Sequence, residues 1–247
     1  DHVCRIVDYI ITSDLTLKDI DGRHTQWAVW SPAKLNHDPD WATERGINSV
    51  EILSYLKLAF HVSGQPRYEQ LYQELLHRHN YLDNVRQPRS TNPAWITHID
   101  DELLALSYPF LLLHEKDPQL LSAYRTSLET WYRTAEADKS PFFNFTYAGL
   151  SGLDPRLAAS IFFLQDTPLD LIRWRVDHTR RLDLCIRYFP EFENAQTDRL
   201  LPPSEIAFFR WDTNPWYASE GDGGVSESDG VFWLLPYWMG RYYGYIR

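Results

Sequence analysis

The chain has 247 residues, long enough to bury a substantial core as one large domain or two small ones. Its 24 basic residues against 34 acidic ones leave a formal charge of −10 with no Lys/Arg-rich block to offset it, which argues against a nucleic-acid or anionic-membrane partner. No run of about 18 apolar residues escapes polar interruption, so no membrane-spanning helix is expected.

The first residues, Asp1 to Ile11, carry apolar side chains at Val3, Ile6, Val7, Ile10 and Ile11, a helical spacing. The start DHVCRIVDYI has neither an initiator Met nor a signal-peptide pattern, and the expectation is a processed chain or a piece of a longer one, with the helical pattern at the first residues favouring the piece. Asp21-Gly22 then separates two short runs of β-type composition, a hairpin signal. Ser31 to Gly46 is a Pro/Asn/Asp-rich loop.

From there two kinds of helix alternate. Ser49 to Val62 is apolar at nearly every turn and reads as an inner, buried helix. Pro66 to Leu82 has one stripe (Tyr68, Leu71, Tyr72, Leu75, Leu76, Leu82) and reads as an outer helix, with Pro66 in its first turn. The pairing recurs in Trp95 to Glu115 with Pro118 to Ala135, and in Phe143 to Ser151 with Pro155 to Leu164. Thr167-Pro168 opens another expected helix, to about Leu184, and the last runs from about Asp229 to Tyr243. The predicted fold is therefore all-α: an α/α toroid, complete or partial, of inner and outer helix pairs in a single domain over 1–247, with a small β-hairpin near the N-terminus. A right-handed array of helical hairpins is the competing arrangement.

Inner-to-outer connections are short and outer-to-inner ones long, so the long loops gather where the inner helices begin. Function concentrates where long loops meet a rigid scaffold. At that face WITHIDDELLALSYP has an acidic head, an apolar body and a proline. Asp100, Asp101 and Glu102 stand nine, eight and seven positions before Pro109. ESDGVFWLLP repeats the plan, with Glu227 and Asp229 nine and seven positions before Pro236. Two carboxylate-bearing helix starts have the groups that glycosidic hydrolysis needs as acid and base. Capping and the helix dipole explain each acid singly. His98, one turn from Asp101 and Glu102, has the chemistry of a base or a cation ligand, though a helix-capping His bonded to Asp101 is the plainer expectation. Asn48 and Glu51 fit a capping box at the first inner helix.

Asn144 and Tyr147 are polar groups in an apolar segment and need partners. Asn144-Phe145-Thr146 also matches a glycosylation acceptor. Trp27, Trp30, Trp95, Trp211 and Trp216 fall in or beside the long loops, where Trp stacks on sugar rings as readily as on a core. Arg241 suits a uronate carboxylate. The glycine-rich EGDGGVSESDG loop lacks calcium-loop spacing. No metal or other cofactor is called for. Cys4 and Cys185 are expected as two buried thiols, with one disulfide as the alternative.

The segments TQWAVWSPAKLN, ERGINSVEILSYLKLA, HIDDELLALSYPFLLLHEKD, PLDLIRWRVDHTRR and SDGVFWLLPYWMGRYYG resemble the helical region that follows a larger N-terminal part in a group of large secreted bacterial proteins of uncertain function. That resemblance spans most of the chain and implies a secreted or periplasmic location and packing against another domain of the same protein. The layout is also similar to α/α-toroid glycoside hydrolases and polysaccharide lyases. Together these readings give a carbohydrate-active domain with an oligo- or polysaccharide partner, a glycoside hydrolase first. A uronate lyase using His98 and Tyr147, and a non-catalytic carbohydrate-sensing or interaction domain, are the alternatives.

Overall fold

A computed structural model describes residues 2–90, 98–190, 192–207 and 213–247, and over these the chain is mostly helical. Two compact units emerge, one of Asp1–Ser90 with Leu103–Trp131 and one of Thr91–Glu102 with Tyr132–Arg247.

The first unit begins with α1 (His2–Thr12), whose Cys4, Val7 and Ile10 are buried and which packs on α3 (Arg45–Ser63). The expected hairpin follows. β1 (Thr16–Lys18) pairs antiparallel with β2 (His24–Val29), and Asp19 accepts the backbone N–H groups of Asp21 and Arg23 across the turn. Trp30, just after β2, joins the hairpin to α3: its indole N–H donates to Glu51 at 3.0 Å, and its ring meets Tyr55 edge-on at 5.8 Å. A short helix α2 (Pro32–Leu35) fills part of the loop that follows.

α3 is mostly buried from Gly46 to Ala59, as its sequence implies, while His61 and Val62 in its last turn are exposed, and it carries its own polar groups inward. Asn48 and Glu51 do not form a capping box. The cap position is Glu44, four residues before Asn48; Asn48 donates to the Val29 carbonyl at 2.7 Å, and Glu51 holds Trp30 and Tyr55. Gly64 ends α3 in the left-handed conformation (φ 68°), where a side chain would be strained, and its N–H closes on Phe60 O at 2.7 Å. Pro66 then opens the striped helix α4 (Pro66–Arg78), which buries Tyr68, Tyr72, Leu75 and Leu76. A short helix α5 (Tyr81–Asn84) follows.

The opening of the next inner segment, including Trp95, lies outside the described residues; its helix, α6, runs His98–His114 with Pro109 inside it. α7 (Pro118–Ala135) has the predicted bounds and buries Leu120, Tyr124, Leu128 and Trp131. Between α3, α4, α6 and α7 lies a charged centre. Lys57, 6% exposed in its side chain, pairs with Glu115 at 3.0 Å and with Glu69 at 3.1 Å. The Tyr72 hydroxyl donates to Glu115 and also meets the Tyr124 hydroxyl, and the Lys57 ammonium stands over the Tyr72 ring. Glu115 further accepts the backbone N–H groups of Lys116 and Asp117, ahead of α7.

In the second unit, α8 (Pro141–Ser151) is the buried helix and α9 (Leu157–Asp166) packs against it. The helix predicted from Thr167 to about Leu184 is absent. α9 stops at Asp166, and the described residues from there to 230 hold no α-helix but two-residue ladders: β3 (Val176–Asp177) with β6 (Ser219–Glu220), and β4 (Ile186–Arg187) with β5 (Gln196–Thr197). Pairing with a partner over 40 residues away in sequence overrides local helical spacing. Cys185 lies in this region and is an exposed thiol, not a buried one; Cys4 is a buried thiol whose Sγ donates to the Ala59 carbonyl at 3.9 Å, and the two form no disulfide. α10 (Val231–Tyr242) then packs on α8 so closely that a Cβ on Gly240 would meet Phe145 and Ile246 within 3 Å.

The Lys57 centre yields two expectations. Removing Glu115 alone leaves a buried ammonium with Glu69 as its carboxylate partner, so Glu115→Gln should lower the unfolding free energy by about 3 kcal/mol, while Lys57→Met combined with Glu115→Gln should recover much of that loss. Urea denaturation of the three variants measures both. Burial pushes the Glu115 carboxyl up, but hydrogen bonds from Asp117, Tyr72 and Lys57 outweigh it and hold the group below the usual range. Its stabilisation is therefore full above the unfolded-chain value of about 4.3 and is lost as pH falls through the folded value. Acid denaturation should show that loss in the native chain and a shallower pH dependence in the Gln variant.

Candidate active site

The second unit gathers a histidine, two aspartates and a tryptophan from three parts of the chain. α6 places His98 and Asp101 three positions apart, on one face of its first turn. Asp138 ends the single 3-10 turn Glu136–Asp138 after α7, a turn closed by Lys139 in the left-handed conformation (φ 52°) with its N–H on Glu136 O. That tight stop turns Asp138 inward, where it is buried. Trp216 comes from the loop before α10. Asn214 accepts its backbone N–H at 2.9 Å and Thr197 N–H holds its carbonyl at 2.8 Å.

Asp138 is the hub. Its Oδ2 lies 3.0 Å from His98 Nδ1, and its Oδ1 accepts the Trp216 indole N–H at 3.0 Å. With Asp138 ionised, Nδ1 carries the proton and the imidazole's free lone pair falls on Nε2, the arrangement of an oriented base. Asp101 is wholly buried beside them: one ligand atom each from His98, Asp101 and Asp138 all lie within 4.8 Å of one another. His98 is the partly exposed member of the three.

His98 therefore does not simply cap its helix through Asp101; its hydrogen-bond partner is Asp138, 40 residues away. Of the acidic head, Asp100 and Asp101 are buried and Glu102 is half-buried. The second head is open: Glu227 and Asp229 are exposed, and Asp229 accepts the Val231 N–H at 3.0 Å at the start of α10.

The proposed substrate residues divide. Asn144 is a core group, accepting the Tyr132 hydroxyl at 2.8 Å and donating to Ser160 at 2.9 Å, and Tyr147 stacks on Tyr132 with centroids 3.9 Å apart. A buried Asn144 is also inaccessible to glycosylation in the folded chain. Trp30 is buried in the first unit, whereas Trp27 is exposed. Trp95 and Trp211, with Arg210 and Asp212, lie outside the described residues. Arg241 is exposed on α10, as is Trp238. In the EGDGGVSESDG loop, Asp222 accepts N–H groups from Gly224 and Val225 and the Ser226 hydroxyl, which folds the loop on itself.

Sequence reasoning missed Asp138 and Trp238. Asp138 has no local signal, because it follows an outer helix; Trp238 sits on a helix read as buried. Against known protein families, curated proteins and solved structures, the chain has no match in any of the three comparisons.

Asp138→Ala would leave the Trp216 and His98 donors without their acceptor, and should cost about 1–3 kcal/mol in denaturant unfolding. Asp229→Ala removes only an exposed hydrogen bond from the Val231 N–H and should cost about 1 kcal/mol or less.

Proposed function

We propose that the chain is a carbohydrate-active domain, on the inner-and-outer helix plan of an α/α toroid, that hydrolyses glycosidic bonds. The observation that carries this reading is that both acidic heads belong to the same compact unit, and that one of them presents exposed carboxylates at the start of a helix with exposed aromatics. Glu227 and Asp229 are exposed, and α10 carries Trp238 at 61% and Tyr242 at 83% exposure. Exposed aromatic faces of this kind stack on sugar rings.

Within this reading, Glu102 protonates the leaving oxygen, since it is the member of the α6 head that is not sealed from water. Glu227 or Asp229 activates the water or attacks directly. A carboxylate separation of about 6.5–9.5 Å gives inversion and about 5–5.5 Å gives retention. Asp100 and Asp101 support the head from within.

The His98–Asp138 pair favours one second reading, a lyase. His98 Nε2 would take the proton beside a uronate carboxylate held by Arg241, giving an unsaturated product that absorbs in the near ultraviolet.

Glu102→Gln and Asp229→Asn should each slow release of reducing ends from a matching oligosaccharide by about 10²-fold or more, with the melting temperature nearly unchanged. Unchanged turnover in both variants rejects the hydrolase. A near-ultraviolet chromophore that disappears with His98→Ala establishes the lyase in its place.

A further inference from the structure

We propose that His98, Asp101 and Asp138 form a binding site for a divalent first-row transition ion of the Zn²⁺ or Mn²⁺ class. The donors come from two elements forty residues apart in sequence, and the fold brings them to one point. One atom from each lies within 4.8 Å of the other two, and the His98 Nδ1 to Asp138 Oδ2 distance is 3.0 Å. Two ligand atoms that share an ion at about 2.0–2.1 Å stand roughly 3 Å apart, so this pair already has the spacing of coordinated neighbours.

The donor chemistry narrows the ion. An imidazole nitrogen with two carboxylates suits Zn²⁺, Mn²⁺ or Fe²⁺, whereas Ca²⁺ and Mg²⁺ favour all-oxygen shells. Three protein ligands leave at least one position for water, the pattern of a reactive rather than a closed structural site. The surroundings are built for the purpose as well. Trp216 holds the second oxygen of Asp138 through its indole N–H at 3.0 Å, which turns Oδ2 toward His98 and favours one-oxygen coordination. Asp101 and Asp138 are buried, so their electrostatic pull on an ion is little screened, and His98 is the partly exposed member of the set.

Because binding is read directly, this site stands or falls separately from the sugar chemistry. Chelator-treated protein should take up one equivalent of Zn²⁺ in calorimetric titration, and Co²⁺ should give a visible d–d absorption with nitrogen and oxygen ligands. Asp101→Asn and His98→Ala should abolish both while leaving the circular dichroism unchanged. Trp216→Phe, which touches no ion, should weaken affinity by about 10–100-fold as an outer-shell loss. Flat titrations with Zn²⁺, Mn²⁺ and Co²⁺, or binding indifferent to Asp101→Asn and His98→Ala, overturn the proposal. If a variant fails to fold, anomalous diffraction from Zn²⁺-soaked native crystals decides: a peak bonded to all three side chains sustains the site, and a peak elsewhere or none refutes it.

Discussion

A helix buried on every side must satisfy its own polar side chains from within, and this fold is tied together by the way it does so. An isolated ammonium or carboxylate out of water is too costly to keep, so each such group on a buried helix requires a partner from another element. Lys57 on α3 reaches Glu69 on α4 and Glu115 beyond α6, and Tyr72 and Tyr124 complete the shell. Asn144 on α8 is matched by Tyr132 and Ser160 in the same manner. In both units the apolar stripes bring the helices together without choosing among nearby registers. The buried polar groups admit far fewer arrangements, because a one-turn slip would strand a charge or an amide.

The sequence was legible wherever structure is local. Helical spacing located α1, α3, α4, α6 to α10, and Pro66, Pro118 and Gly64 punctuated them where the backbone demands it. Asp21-Gly22 identified the hairpin. Between Thr167 and Leu184 the same reasoning failed, since LDLIRWRV has apolar residues at spacings that suit helix and ladder alike. The choice is made by residues 219 and 220, which pair with 176 and 177. Nothing in the neighbourhood of Val176 announces that partner.

The acidic heads show the same boundary. Alike in sequence, DDELLALSYP and ESDGVFWLLP meet different surroundings. The first is pressed inward with Asp101 fully buried; the second is left at the surface with Asp229 on a backbone N–H. A carboxylate at a helix start is favoured by the dipole in either setting, so local pattern does not distinguish a solvated cap from an interior group. The difference is set by Asp138 and Trp216, which arrive from 40 and 118 positions beyond His98.

What Asp138 imposes on its neighbours follows from having two oxygens and no spare one. Oδ1 is committed to the Trp216 indole, a donor that never accepts or ionises, so the orientation of the carboxylate does not change with protonation of its surroundings. Oδ2 is then fixed in direction and confronts His98 Nδ1. A proton shared along that 3.0 Å contact leaves the Nε2 lone pair of His98 free, whereas under the proposed coordination both atoms would become ligands together with the nearby Asp101. The two states are mutually exclusive at one atom pair. Base chemistry and the proposed metal coordination at this centre are therefore alternatives, because Nδ1 cannot both carry the proton to Asp138 and bind an ion.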